Sequence, residues 1–398
     1  MKRTMSRATI ALATGALLAL AACAGQNNSP VPATGASVVQ TPLNHQRDGR
    51  ARPLGPTLAV SSCGPCYTYT NSPSSEAMYG ADGVNLRRTV SNGIAAPWVG
   101  LVFDASGDLF VANCSTCLTG QAGVNDVVEL KPHTNTPAVT ITNGIKYPFD
   151  LAIDRSGTLY ASNLGCYSPS CSGSVSEYPA GYTSGNPSAT IPVKYPLGLA
   201  LDSSQNLYVA NCVVCSTGTQ GSDQVLVYAP GATTPMQTIT TGINEPVAMA
   251  VDSSNNLYVA NCINCGLGAG AYVSGTDTVT EYASGSSTPT KTITFSGSGA
   301  DIPFSLAVDQ SGDLFVGNVA ANSVTEYPPN ATTPSKTITN GVSGPVSLAI
   351  DAKGVLHVSN SGGGSTGTVT EYPANYKVGK PPKHTLTVTH PSSIAVSN

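Results

Sequence analysis

The sequence predicts an all-β fold: a seven-bladed β-propeller of four-stranded blades, closed by pairing of the N- and C-terminal strands. Three observations predict it. A short motif recurs at blade-length intervals, the segments between turns are rich in Val, Ile, Thr and Tyr, and no stretch carries the spacing of a long amphipathic helix.

The motif is clearest where Leu151-Ala-Ile-Asp154 continues as Arg-Ser-Gly-Thr-Leu159-Tyr-Ala-Ser-Asn163. Near-copies start at Leu199, Met249, Leu306 and Leu348, and Leu101 begins the first of the six. The aspartates (Asp104, Asp154, Asp202, Asp252, Asp309, Asp351) are separated by 50, 48, 50, 57 and 42 residues, the length of a four-stranded blade.

Each unit parses into strands a to d. A proline (Pro97, Pro148, Pro196, Pro246, Pro303, Pro345) leads into strand a. Asp-x-x-Gly or a relative then turns it into strand b, as in Leu207-Tyr-Val-Ala-Asn211; this is turn chemistry, with the carboxylate accepting backbone N–H bonds, and it argues against metal-ligand aspartates. The asparagines closing strand b read as loop caps. Strand c carries Val-Thr-Glu-Tyr (Val279 to Tyr282, Val324 to Tyr327, Val369 to Tyr372) and strand d Thr-Ile-Thr (Thr238 to Thr240, Thr337 to Thr339). A seventh strand a, Pro391 to Ser397, has no strand b after it. Leu58 to Cys66 reads as a strand b with its loop, Met78-Tyr79 as the end of a strand c, and Thr89 to Gly93 as a strand d. The last blade is therefore expected to draw on both ends of the chain, which removes an exposed sheet edge.

The first residues have a different character. Lys2, Arg3 and Arg7 precede an apolar run from Ala8 to Ala22, too short for a membrane span, so residues 1–22 read as a signal peptide. Leu20-Ala-Ala-Cys23 resembles the lipobox of bacterial lipoproteins, which implies lipidation of Cys23; ordinary cleavage after Ala22 would leave Cys23 a stray thiol. Ala24 rather than aspartate follows, which by the same resemblance implies the outer membrane if the organism is Gram-negative. Residues 23–56 lack hydrophobic period and read as a flexible tether, leaving 57–398 for the propeller.

Of eleven cysteines, ten fall into pairs: Cys63/Cys66, Cys114/Cys117, Cys166/Cys171, Cys212/Cys215 and Cys262/Cys265. Each pair follows a strand b. A zinc half-site, a redox couple and a local disulfide are all compatible with such spacing; export to an oxidising compartment favours disulfides. Without the leader, 15 basic residues face 22 acidic ones, a balance that argues against a nucleic-acid partner. A monomer anchored to the membrane through its lipid is the expectation.

The repeat resembles the NHL and virginiamycin-lyase-like propellers over about residues 57 to 398. That resemblance implies the fold and is nearly silent on function. In such a fold the b–c and d–a loops share one face. Here they gather the cysteine loops with Trp98, Lys146, Tyr147, Asp150, Lys194, Tyr195, Asn244, Glu245, Asp301 and His390, a set suited to recognition. The leading expectation is a lipid-anchored binding or scaffold module for a protein or glycan in the cell envelope, with no cofactor and no catalytic assignment. The alternative is a metal-assisted lyase or lactonase using a divalent cation such as Ca or Mg at Asp150, Glu245 and Asp301. Asp150 stands out because the other strands a have Gly, Ala or Ser at its place.

Overall fold

The computed structural model describes residues 57–63, 74–80, 85–115, 123–165, 172–213, 223–263, 276–295, 301–362 and 366–397. The leader, Cys23 and the tether lie outside them, as do Cys66, Cys117, Cys166, Cys171, Cys215 and Cys265.

Seven four-stranded antiparallel sheets form the ring. Blades 1 to 6 each run in chain order a-b-c-d, with strands a beginning at Pro97, Pro148, Pro196, Pro246, Pro303 and Pro345. Blade 7 takes its strand a from Pro391–Val396, b from Leu58–Ser62, c from Ser75–Tyr79 and d from Leu86–Val90. The first and last strands of the chain pair antiparallel, Leu58 opposite Val396 and Val60 opposite Ile394. A propeller leaves only short, protected sheet edges, and this pairing completes the seventh blade and closes the ring.

The recurrent aspartates build the a–b turns. In all six copies Oδ1 accepts the N–H two and four residues on, as Asp252 does from Ser254 and Asn256, both at 2.8 Å. Their carboxylates are thus committed to folding.

The seams between blades repeat as well. The strand-c tyrosine of one blade donates its hydroxyl hydrogen to a carbonyl in the turn leaving the blade before it: Tyr178 to Asn143 (2.6 Å), Tyr282 to Thr241 (2.7 Å), Tyr372 to Asn340 (2.7 Å). The glycine that follows that carbonyl packs under a proline of the later blade. Gly242 has φ +79°, and a Cβ there would lie 3.0 Å from the Tyr282 hydroxyl and 3.3 Å from Pro289. Only glycine meets both the left-handed backbone and the close approach at no cost.

Candidate functional site

The loops after strand b and before strand a are knitted into one face by a hydrogen bond repeated in every blade. The N–H of the residue at or just past the end of strand b reaches the carbonyl of the residue before the strand-a proline: Cys63 to His390, Cys114 to Ala96, Leu164 to Tyr147, Cys212 to Tyr195, Cys262 to Glu245, Val319 to Ile302 and Ser361 to Gly344, all between 3.0 and 3.3 Å. The strand-b asparagines add a second tie, as Oδ1 of Asn163 and Asn261 accept the N–H of Lys146 and Asn244 at 2.9 and 3.0 Å. Just before strand c a third side chain caps the same turn: Ser74 accepts from Ala96 (3.0 Å), Asp223 from Glu245 (2.7 Å) and Asn322 from Gly344 (2.7 Å). The pre-proline residues Ala96, Tyr147, Glu245 and His390 are held at φ between +45° and +55°, a conformation non-glycine residues adopt only where surrounding contacts impose it.

Beneath these loops lies one continuous apolar cluster. It takes the residue at or just past the end of strand b (Cys63, Cys114, Leu164, Cys212, Cys262, Val319) and the residue after the strand-a proline (Phe149, Leu197, Val247, Phe304, Val346). The four described first cysteines are 0 % exposed. Their position calls for a buried apolar side chain, and Cys fills it as a small one. In blade 2 Leu164 takes that place, so the Cys166/Cys171 pair begins two residues later than the others. Of the expectation that each pair follows a strand b, the structure describes the first cysteine of four pairs, Cys63, Cys114, Cys212 and Cys262, all at this position.

The expected recognition residues divide into two groups. Lys146 is exposed, and Tyr147, Lys194, Asn244 and Asp301 are half-buried at the loop surface. Tyr195, Glu245 and His390 are buried in the face rather than presented on it; burial pushes the Tyr195 hydroxyl up to about 12 and lowers the His390 imidazole. The backbone of Trp98 belongs to the first strand of blade 1, and its side chain lies outside the described residues.

Asp150 does not open toward solvent. It is 0 % exposed, Oδ1 accepts the N–H of Leu151 and Oδ2 that of Leu199, each at 2.8 Å. Burial pushes its carboxyl up to about 7, against the pull of those two bonds. Glu245 stands beside Asp223 and Asp277; burial first, then those two like charges, raise it to about 8. The two aspartates were missed in the sequence, although aligning the blades on strand c would have flagged them as acids at a capping position that Ser74 and Asn322 fill without charge. Among the described residues no three His, Cys, Asp or Glu side chains come together as a metal ion requires, so Asp150, Glu245 and Asp301 do not form the divalent-cation set that the alternative needs.

The sequence matches no family model and no curated protein. Solved structures are similar in fold. A proposed 6-phosphogluconolactonase of Bacteroides uniformis superposes with a TM-score of 0.62 at 12% identity, over 87% of this chain and 100% of its own. Another from Bacteroides fragilis gives 0.62 at 14% identity over 88% and 100%, and a protein from Lactobacillus plantarum gives 0.58 at 13% over 86% and 99%. Likeness at that identity establishes the propeller and nothing about chemistry.

Proposed function

We propose that this chain is an exported lipoprotein, anchored through Cys23, whose propeller acts as a binding or scaffold module for a protein or glycan ligand of the cell envelope. The cysteine-loop face is the binding surface. One observation carries this reading: the loops that bear Lys146, Tyr147, Lys194, Asn244 and Asp301 are fixed in every blade by the repeated N–H to carbonyl bond described above, over a continuous apolar layer. A surface ordered before its ligand arrives loses little entropy on binding. Disulfides Cys63–Cys66, Cys114–Cys117, Cys166–Cys171, Cys212–Cys215 and Cys262–Cys265 would close the same loops, and their short spans would stiffen these locally. On this reading the repeat signature is one that resembles the NHL and virginiamycin-lyase-like propellers.

A lactonase-like activity is the second reading, favoured by the description of two fold neighbours. Its weakness is Asp150, whose two oxygens are already taken by backbone N–H groups.

A photo-reactive residue placed at Lys194 in whole cells tests the leading proposal. A defined protein or glycan adduct that is absent when the probe sits at Thr332, on the outer turn of blade 5, is the expected result. Lactone turnover by the purified protein, with no adduct at Lys194, would overturn it. Fractionation of Cys23→Ala tests the anchor separately: the variant should leave the membrane fraction.

A further inference from the structure

Charge is unevenly spread around the ring. Blades 2 to 5, residues 148–344, carry 4 Lys and Arg against 13 Asp and Glu, whereas blade 6, residues 345–390, carries 4 Lys against 2 acids. Both acids of blade 6 are buried and already engaged. Glu371 lies 2.7 Å from Nδ1 of His384 and 3.4 Å from Nδ1 of His357, and Asp351 lies 3.9 Å from Nε2 of His357. In blades 4 and 5 the strand-d lysine neutralises the strand-c glutamate, Lys291 with Glu281 at 2.5 Å and Lys336 with Glu326 at 2.8 Å. In blade 6 His384 holds the place of that lysine, with its Nδ1 against Glu371. Lys353, Lys377, Lys380 and Lys383 are exposed and form no ion pair among the described residues, and Val378 beside them is 58% exposed.

A second observation concerns where the chain enters. Because the strands alternate in direction, the a–b and c–d turns share the face opposite the cysteine loops. Lys353 is in the a–b turn of blade 6, and the other three lysines are in its c–d hairpin. Thr57 is at the a–b end of blade 7, where its carbonyl accepts the Ser397 N–H at 2.9 Å and its N–H reaches Ser397 Oγ at 2.8 Å. Blade 7 adjoins blade 6 through Ile394, whose N–H meets Ser347 Oγ at 3.3 Å. The segment leading from Cys23 therefore joins the propeller on the lysine-bearing face, one blade away, after Arg47, Arg50 and Arg52 in the sequence.

We propose that the lysine edge of blade 6 docks on the anionic headgroup phosphates of the membrane that holds the lipid anchor, so that the cysteine-loop face is turned away from it. The proposal rests on the anchored reading above. Lysines near an anionic leaflet each add attraction that falls off within a Debye length. On the face that bears these lysines, the a–b turns of blades 2 to 5 carry Asp154, Asp202, Asp252, Asp309 and Asp313, which repel the same surface, so the ring meets it by the blade 6 sector and not flat. The anchor supplies attachment and the lysines supply orientation.

The test uses the full chain carrying Cys23→Ala, so that no acyl group contributes, and sedimentation with vesicles of phosphatidylcholine alone or mixed with phosphatidylglycerol. Whatever the leader contributes is common to every variant. Binding should require phosphatidylglycerol, weaken with salt, fall at least tenfold in Lys377→Glu/Lys380→Glu/Lys383→Glu, and survive in the corresponding triple Arg variant, all with unchanged circular dichroism. Equal binding to both vesicles, or an unaffected Glu variant, would overturn the proposal. So would binding to a soluble polyanion such as heparin without binding to vesicles, which would reassign the edge to an anionic glycan. Failure of the anchor would appear in the fractionation of Cys23→Ala and not in this assay.

Discussion

Asp150 in blade 2 holds the backbone N–H of Leu199 in blade 3, Oδ2 to N 2.8 Å. The pairing of strand a with strand b shifts register just after each leading proline, in blade 3 between Pro196 and Leu199. Such an irregularity releases a backbone N–H from the ladder, and a buried N–H needs a partner. Ser347 performs the same service for Ile394 across the seam of blades 6 and 7 at 3.3 Å. The acid that stands out against the Gly, Ala or Ser of the other strands a is an inter-blade tie, and its carboxylate accepts one more N–H than Ser347 does at that place.

Replacing Asp150 by Ser should therefore keep the fold and change the pH profile. The folded carboxyl titrates near 7 against 3.8 in the unfolded chain, so the unfolded state releases its proton first and wild-type stability declines as pH rises from about 4 to 7, by at most about 1.4 kcal/mol per unit. Asp150→Ser should be less stable by about 1 kcal/mol at pH 4, from the lost bond to Leu151, and equal or superior at pH 8. Urea unfolding at the two pH values measures this; parallel profiles for both proteins would refute it.

Tyr282→Phe isolates one seam. It removes the bond to the Thr241 carbonyl while keeping the ring packed, and should cost about 1–2 kcal/mol by chemical denaturation. Gly242→Ala at the same seam should cost at least as much, since it combines φ +79° with a Cβ 3.0 Å from the tyrosine hydroxyl. A Tyr282→Phe midpoint equal to wild type would show that the carbonyl is satisfied by water.

Much of this architecture was legible because each blade solves the same local problem with the same residues. The Asp turns, the leading prolines, the asparagine caps and the closing blade follow from period and turn chemistry. Strand d of blade 7 was less legible: it is Leu86–Val90, and Ser91 to Gly93 form the turn after it, because Thr-Val-Ser-Asn-Gly reads equally as strand or as turn. The site was least legible. Loop position marks Tyr195, Glu245 and His390 as surface groups, yet burial is decided by neighbouring blades that no local pattern encodes. Substitutions against the repeat were the better signal: His357 where blades 2, 3 and 4 have Tyr160, Tyr208 and Tyr258, and Glu76 where the other strands c have valine.

His357 is buried between Asp351 and Glu371, and Glu371 also faces His384. Burial alone would lower the imidazole, but the two carboxylates outweigh it and raise it above its usual 6.5. A raised histidine contributes stability that is fully present below pH 6.5 and lost as pH rises through the folded value. His357→Tyr should remove that alkaline loss: its melting temperature should change less than wild type between pH 6 and 9. A wild-type profile flat across that range would remove the basis for the prediction.

Glu76 is the last departure from the repeat, and it lies in the blade that closes the ring. Aligned positions hold Val127, Val175, Val225, Val279, Val324 and Val369, all buried in the sheets. Glu76 is 0 % exposed; its Oε1 accepts the Ser61 hydroxyl at 2.6 Å, and Oε2 has no hydrogen-bond partner among the described residues. Burial pushes the carboxyl up to about 8, with the Ser61 bond pulling weakly the other way, so the folded protein keeps it neutral at pH 7 while the unfolded chain ionises near 4.5. The sign is that of Asp150: stability falls as pH rises from about 4.5 to 8 and levels off beyond. Glu76→Val should raise the melting temperature at every pH, because it replaces a half-satisfied polar group by the side chain that six other blades use. The gain should be smallest near pH 4.5, grow to about 2–4 kcal/mol by pH 8, and be accompanied by slower amide exchange in Leu58–Ser62 and Pro391–Val396. Melting curves at pH 4.5 and 8.5 with exchange on those two strands decide the matter, and a gain that does not grow with pH would mean that Glu76 is already ionised in the folded ring.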